Sequence, residues 1–140
     1  MAVIARLTLD KLIEVRIINY SFALNQIIDS AGRPSIASSG GKLKLIIESS
    51  SSAFLSTWIA CENTKKKNGL IIIHDVDDDN IYMKKIRFYD AYIVKYKEIY
   101  NWDTEYDFVE KFTLHANNII VEGEYGPGDF RNNWPGIYKK

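Results

Sequence analysis

At 140 residues, of which 46% are hydrophobic, the chain has the size of one compact domain with its own core and no room for a second. Lysine plus arginine equals aspartate plus glutamate at 18 each, so no overall field draws the protein to nucleic acid or to an anionic membrane. No apolar run approaches the roughly 20 residues of a membrane-spanning helix, and Met1 to Asp10 alternates instead of building a signal peptide. The expectation is a chain made in the cytoplasm that leaves it, if at all, by a route needing no signal peptide.

The single cysteine, Cys61, allows no internal disulfide, and with only His74 and His115 there is no zinc-ligand spacing. Cys61 is read as a small, partly buried hydrophobe on a helix.

Period two dominates the chain. Val3, Ala5, Leu7 and Leu9 alternate with polar residues and predict a half-buried strand that turns at Asp10 and Lys11. Ile13, Val15 and Ile17 continue as Ile18, Tyr20, Phe22 and Leu24, one residue out of phase. A slip of one residue moves every side chain to the other face, so a bulge or bend is expected near Ile17 and Ile18.

Asp29 to Gly41 contains four serines, three glycines and a proline and predicts an exposed loop, long enough to suggest a binding role. Lys42 to Glu48 returns to alternation, with Leu43, Leu45 and Ile47 on one face. The serines from Ser49 to Ser52 offer N-cap hydroxyls to the chain's one helical pattern, in which Phe54, Leu55, Trp58 and Ile59 form the face that packs on the sheet.

Leu70 to His74 predicts a short buried strand, and Asp75, Asp77, Asp78, Asp79 and Asn80 a hairpin tip. The tip opens like a calcium loop but has no glycine at the sixth position, and Ile86 stands where the bidentate glutamate belongs, so solvated turn chemistry is the better reading. From Ile81 to Tyr100 a long strand is expected, with Ile86, Phe88, Tyr92, Val94 and Tyr96 on one side and Lys85, Arg87, Lys95 and Lys97 on the other. Phe108, Phe112, Leu114 and Ala116 alternate again, and Ile119 to Val121 continue the closing strand. Residues 123–140 read as an irregular tail. The chain is thus expected to be a single mainly β domain over residues 1–140, a small antiparallel barrel of six to eight strands with one short helix.

No arrangement for catalysis emerges. The histidines sit in alternating strands without a nucleophile nearby, Gly40, Gly41 and Lys42 lack the rest of a phosphate loop, and Glu122 with Glu124 is ordinary for a strand surface. No catalytic, cofactor or metal residues are assigned, and the chain is not read as an enzyme. Tyrosines near lysines could stack nucleobases, but the zero net charge argues against nucleic acid as a partner.

The stretch YSFALNQIIDSAGRPS, carrying Tyr20, Ser21, Gln26, Asp29, Gly32, Arg33, Pro34 and Ser35, resembles the second-strand-to-loop signature of the haemolysin-coregulated protein family, the tube proteins of type VI secretion systems, in a divergent branch. GGKLKLIIES resembles its third strand, Phe54, Leu55 and Trp58 its amphipathic helix, and FYDAYIVKYKE its long strand with an Asp-Ala-Tyr step. FTLHANNI with Trp134 and Pro135 resembles its closing strand and tail, whereas Asn101 to Asp107 and the tail from Glu122 follow no such pattern.

The resemblance implies a homohexameric ring, rings stacked into a tube, and spike, sheath, baseplate and effector proteins as partners, with no nucleic acid, no membrane insertion and no cofactor. The tube would be cytoplasmic until fired and then secreted. Asp29, Gly32, Arg33, Pro34 and Ser35 are the candidate ring-stacking loop: Arg33 supplies a charged fork, Pro34 stiffness, and the glycines close approach. The readings from other classes are a monomeric ligand-binding β-barrel, an oligonucleotide-binding barrel, and a tube-like adaptor or effector of the same machine.

Overall fold

Residues 2–28, 30–32, 34–78, 80–124 and 128–131 are described by the computed structural model, with the side chains of 25–28, 34–40 and 130 outside the description. Within them the alternating segments form eight strands and one helix: β1 Val3–Leu9, β2 Leu12–Ile28, β3 Pro34–Glu48, α1 Phe54–Cys61, β4 Lys67–Asp75, β5 Tyr82–Tyr100, β6 Phe108–His115, β7 Asn118–Glu122 and β8 Gly128–Arg131. Every pairing is antiparallel.

The strands hydrogen-bond in the order β4-β1-β2-β3-β6-β5-β7-β8, and a further β4–β5 pairing closes the first six into a barrel. Closure pairs the β4 edge, which would otherwise be a template for pairing with other chains, and leaves β8 paired with β7 alone among the described residues. β6 and β7 pair with successive stretches of β5, residues 92–100 and 85–89, so they act as one strand kinked at Ala116 and Asn117.

The inward face is made by the alternation: Leu7 and Leu9, Leu43, Leu45 and Ile47, Ile71 and Ile73, Ile86 and Phe88, Phe112 and Leu114 are all buried. At 20–33 cal/mol per Å² of apolar surface removed from water, such a filled interior is the principal stabilising contribution. The barrel axis is therefore a packed core and not a cup for a ligand.

Several local features follow the sequence reading. Asp10 sits at φ 52° in the turn joining β1 to β2, where Leu9 pairs with Leu12. The β2–β3 ladder shifts register between Ile17 and Asn19, where the apolar pattern slips.

Others depart from it. The stretch expected as a loop from Asp29 to Gly41 is mostly strand, since β3 begins at Pro34 and its residues 34–40 pair with β2 from Leu24 to Ile28. Serine and glycine are poor strand formers, but a partner strand that offers its backbone groups overrides that preference. Part of the tail expected to be irregular is the strand β8, paired with β7.

β5 also changes face twice. Asp90 takes φ 52°, a left-handed conformation that aspartate tolerates better than most residues, and the core positions pass from Ile86 and Phe88 to Ala91 and Ile93. A second shift between Ile93 and Lys95 returns Tyr96 to the core side and leaves Val94 exposed. Val94 therefore does not share a face with Ile86 and Phe88 as its spacing predicts.

Candidate functional site

The residues singled out for helix packing occupy a plug over the barrel. Leu55 and Trp58 are fully buried, with Phe54 and Ile59 packed against the same core. The Phe54 and Trp58 rings lie 6.1 Å apart, the Trp58 Nε1–H donates to the Lys65 carbonyl at 2.9 Å, and the Lys67 ammonium sits over both rings while reaching Asp10 at 3.0 Å. The helix N-cap is Ala53, not a serine; Ser52 Oγ instead accepts the Phe54 N–H at 3.2 Å. Cys61 ends the helix exposed rather than partly buried, because the apolar face it would share stops at Ile59.

Of the candidate stacking segment, Gly32, Pro34 and Ser35 lie at the end of a two-stranded arm. β1 pairs with β2 up to Arg16 and β6 pairs with β3 from Lys42, so among the described residues neither neighbour follows the paired stretch of Leu24–Ile28 and residues 34–40. At the root of this arm Gly41 adopts φ 94°, and its carbonyl accepts the Ala116 N–H at 2.7 Å. The ladder shifts register just there, between Phe22 and Leu24.

Gly32 has φ 79° and is exposed, with nothing within 4 Å of where a Cβ would stand. Its conformation, and not its surroundings, calls for glycine. Pro34 and Ser35 begin β3. Asp29 and Arg33 lie outside the described residues, as do Trp134 and Pro135.

The arm is not the only open backbone. Val3, Ile4 and Ala5 pair with β4 on one side, and the β2 residues beyond Ile17 pair with β3, but the two segments do not pair with each other. Between them opens a crevice of about 560 Å³ that also reaches Tyr20, Met83 and Tyr106. At the β5–β6 turn Tyr100, Trp102 and Phe108 are exposed at 69%, 78% and 38%, a cluster of apolar surface whose function the sequence reading left open.

His74 is buried, its Nδ1 2.8 Å from the Asp75 carbonyl, and among the described residues no group of three or more His, Cys, Asp or Glu could hold a metal ion. In the acidic tip Asp75 and Asp78 accept the backbone N–H groups of Asp77 and Asn80 at 2.8 and 2.9 Å, which is turn chemistry.

One buried carboxyl escaped the sequence reading. Glu110 on β6 is 3% exposed and accepts the Tyr96 hydroxyl at 2.8 Å. Burial pushes its pKa up against the lowering effect of that hydrogen bond, and burial with the Glu110 acceptor pushes the Tyr96 hydroxyl up as well. Because the folded-state pKa of Glu110 lies above its unfolded value, the group stabilises the fold fully below the ordinary carboxyl range, and that contribution is lost as pH rises through the folded pKa.

Glu110→Gln keeps an acceptor for Tyr96 without the charge. It is expected to be more stable than the wild type at pH 7, with the difference closing in acid. Urea unfolding at both pH values checks this, and a variant less stable at neutral pH contradicts it.

Comparison with known proteins gives this architecture its place. A family model described as hemolysin coregulated protein Hcp (TssD) matches residues 1–135. Hcp1 from Flavobacterium johnsoniae shares 31% identity and a TM-score of 0.79, covering 92% of this chain and 99% of that one. Hcp1 from Salmonella typhimurium, at 14% identity and a TM-score of 0.69 over 93% and 92% of the two chains, shares the fold. So does a chain of the six-fold symmetrised anti-feeding prophage baseplate, at 12% identity and 0.58 over 89% and 94%. No curated protein matches. With the family model spanning nearly its whole length, the chain belongs to the hemolysin coregulated protein family, Hcp (TssD), and is a structural tube subunit of a type VI secretion system.

Proposed function

We propose that six copies of this chain close into a ring, that the rings stack into the secreted tube, and that the tube carries effector proteins. The observation that carries this reading is the arm of β2 and β3, together with the unpaired stretches of β1 and β2 beside it. Among the described residues no further strand pairs with these backbone groups, and a heterologous, head-to-tail contact that closes by rotation can cover them on every subunit alike. An interface of this permanent kind should bury at least about 2,000 Å² in total.

The partners in this reading are further copies of the chain and the spike, sheath, baseplate and effector proteins of the machine. The chain waits in the cytoplasm and leaves when the machine fires. No helix among the described residues is long and apolar enough to cross a membrane, in keeping with that route. The family is one of structural tube proteins, and the chain acts here without catalysis, cofactor or nucleic acid.

Light scattering on a sizing column tests the ring. Six copies of a 16.1 kDa chain weigh about 97 kDa, and annuli of that mass by negative-stain microscopy are the expected result. A monomer at high concentration argues against a ring that closes unaided.

The tip of the arm is assigned to contacts between rings. The double variant Arg33→Glu/Pro34→Gly is expected to leave the ring mass unchanged while shortening or abolishing stacked tubes. Loss of the rings themselves would refute the assignment.

A further inference from the structure

Three neighbouring strands hold a group of lysines on the outer face of the barrel. Lys44 on β3 and Lys95 on β5 are both paired with Thr113 of β6, and Lys111 of β6 is paired with Lys97 of β5. All four are exposed, and they line a concavity of about 610 Å³. Their neighbours in sequence, Leu45, Tyr96 and Phe112, turn to the core side.

With strands about 4.8 Å apart and residues on one face about 6.8 Å apart along each, four positive charges start from two adjacent rungs of the sheet. Among the described residues none of the four meets a carboxylate at salt-bridge distance. Along the β3 row the nearest acidic residue is Glu48, beyond Ile46 and opposite Val109, while Glu110 alternates to the inner face.

Like charges placed directly opposite one another, as Lys97 and Lys111 are, destabilise a sheet. The chain as a whole is neutral, so the group is not overflow from a basic composition. The fold carries this repulsion without relieving it internally, and an anionic partner would relieve it.

We propose that this lysine face docks an acidic polypeptide, an extended segment rich in aspartate and glutamate from a partner protein. In such a segment every second carboxylate falls about 6.8 Å from the last, the spacing of Lys95 and Lys97 along β5. The two rungs present Thr113 and Ile46 beside the lysines and no exposed aromatic ring for a nucleobase to stack on, which favours a polypeptide over single-stranded nucleic acid. All four lysines belong to one chain, so the inference does not rest on ring closure.

The test is fluorescence anisotropy of a short labelled polyglutamate peptide titrated with the intact protein at low and physiological salt. The expected result is binding that weakens with salt and falls by about tenfold or more in Lys95→Ser/Lys111→Ser. Lys66→Ser/Lys84→Ser, which removes the same charge elsewhere, should bind as the wild type does.

No binding at low salt, or equal loss in both double variants, overturns the proposal. A length-matched oligothymidine that binds more tightly through the same lysines overturns it in favour of nucleic acid. A change of assembly mass in Lys95→Ser/Lys111→Ser overturns it too, by making the face a subunit interface. Peptide binding by a wild-type monomer would sustain the lysine face while removing the ring.

Discussion

Trp58→Ala is expected to destabilise the protein by about 3–5 kcal/mol, a large share of the 5–15 kcal/mol typical of a domain. The indole is fully buried, and its loss opens a cavity between α1 and the barrel that the closed sheet cannot collapse to fill. Two further contacts go with it: the Lys65 carbonyl loses its donor, and Lys67 loses one of the two rings beneath its ammonium. Urea unfolding followed by far-ultraviolet circular dichroism reads the change. Trp58→Phe, which keeps most of the ring volume and forfeits the hydrogen bond, should fall between the two. A cost below about 1 kcal/mol for the alanine variant would mean that the helix is not a structural plug.

Gly69→Ala should cost about 1–3 kcal/mol or more, although it adds one methyl group. A Cβ at position 69 would lie 2.3 Å from Cζ of Phe88 and within 2.9 Å of two further ring atoms. Gly69 and Phe88 are paired across β4 and β5, so the ring lies over the glycine, and Phe88 is itself fully buried and has nowhere to move. Glycine is weak in a strand on its own account, and an aromatic ring laid across it restores the missing packing. Phe88→Leu should therefore be costly alone but recover part of the loss when combined with Gly69→Ala. Additive effects in that double-mutant cycle would rule out the clash as the cause.

Both positions show how far residue type alone can be read. Trp58 was legible, because Phe54, Leu55, Trp58 and Ile59 repeat at helical spacing and such a face must find a core. Gly69 was not, since nothing in Lys67, Asn68 and Gly69 says which ring of β5 will cross them. The same division runs through the assembly surface. The arm is visible as a distinctive composition from Asp29 to Gly41, yet that composition predicts a loop, because serine and glycine fail as strand formers until β2 pairs with them. Lys95 and Lys97 were seen to share a face, but Lys44 and Lys111 join them only through the β3–β6–β5 register.

Near neighbours along the chain suffice for the alternation that sorts apolar from polar side chains, the turn at Asp10 and Lys11, the slip after Ile17, and one amphipathic helix. The family resemblance was carried by short stretches of the same kind. Folding of the whole chain fixes where β5 turns at Asp90 and Val94, that residues 34–40 and Gly128–Arg131 are strands, that Glu110 is buried, and which lysines meet. Each of these depends on which strand lies beside which. Cross-strand hydrogen bonding joins residues tens of positions apart, and its energy overrides local preference without leaving a local signal.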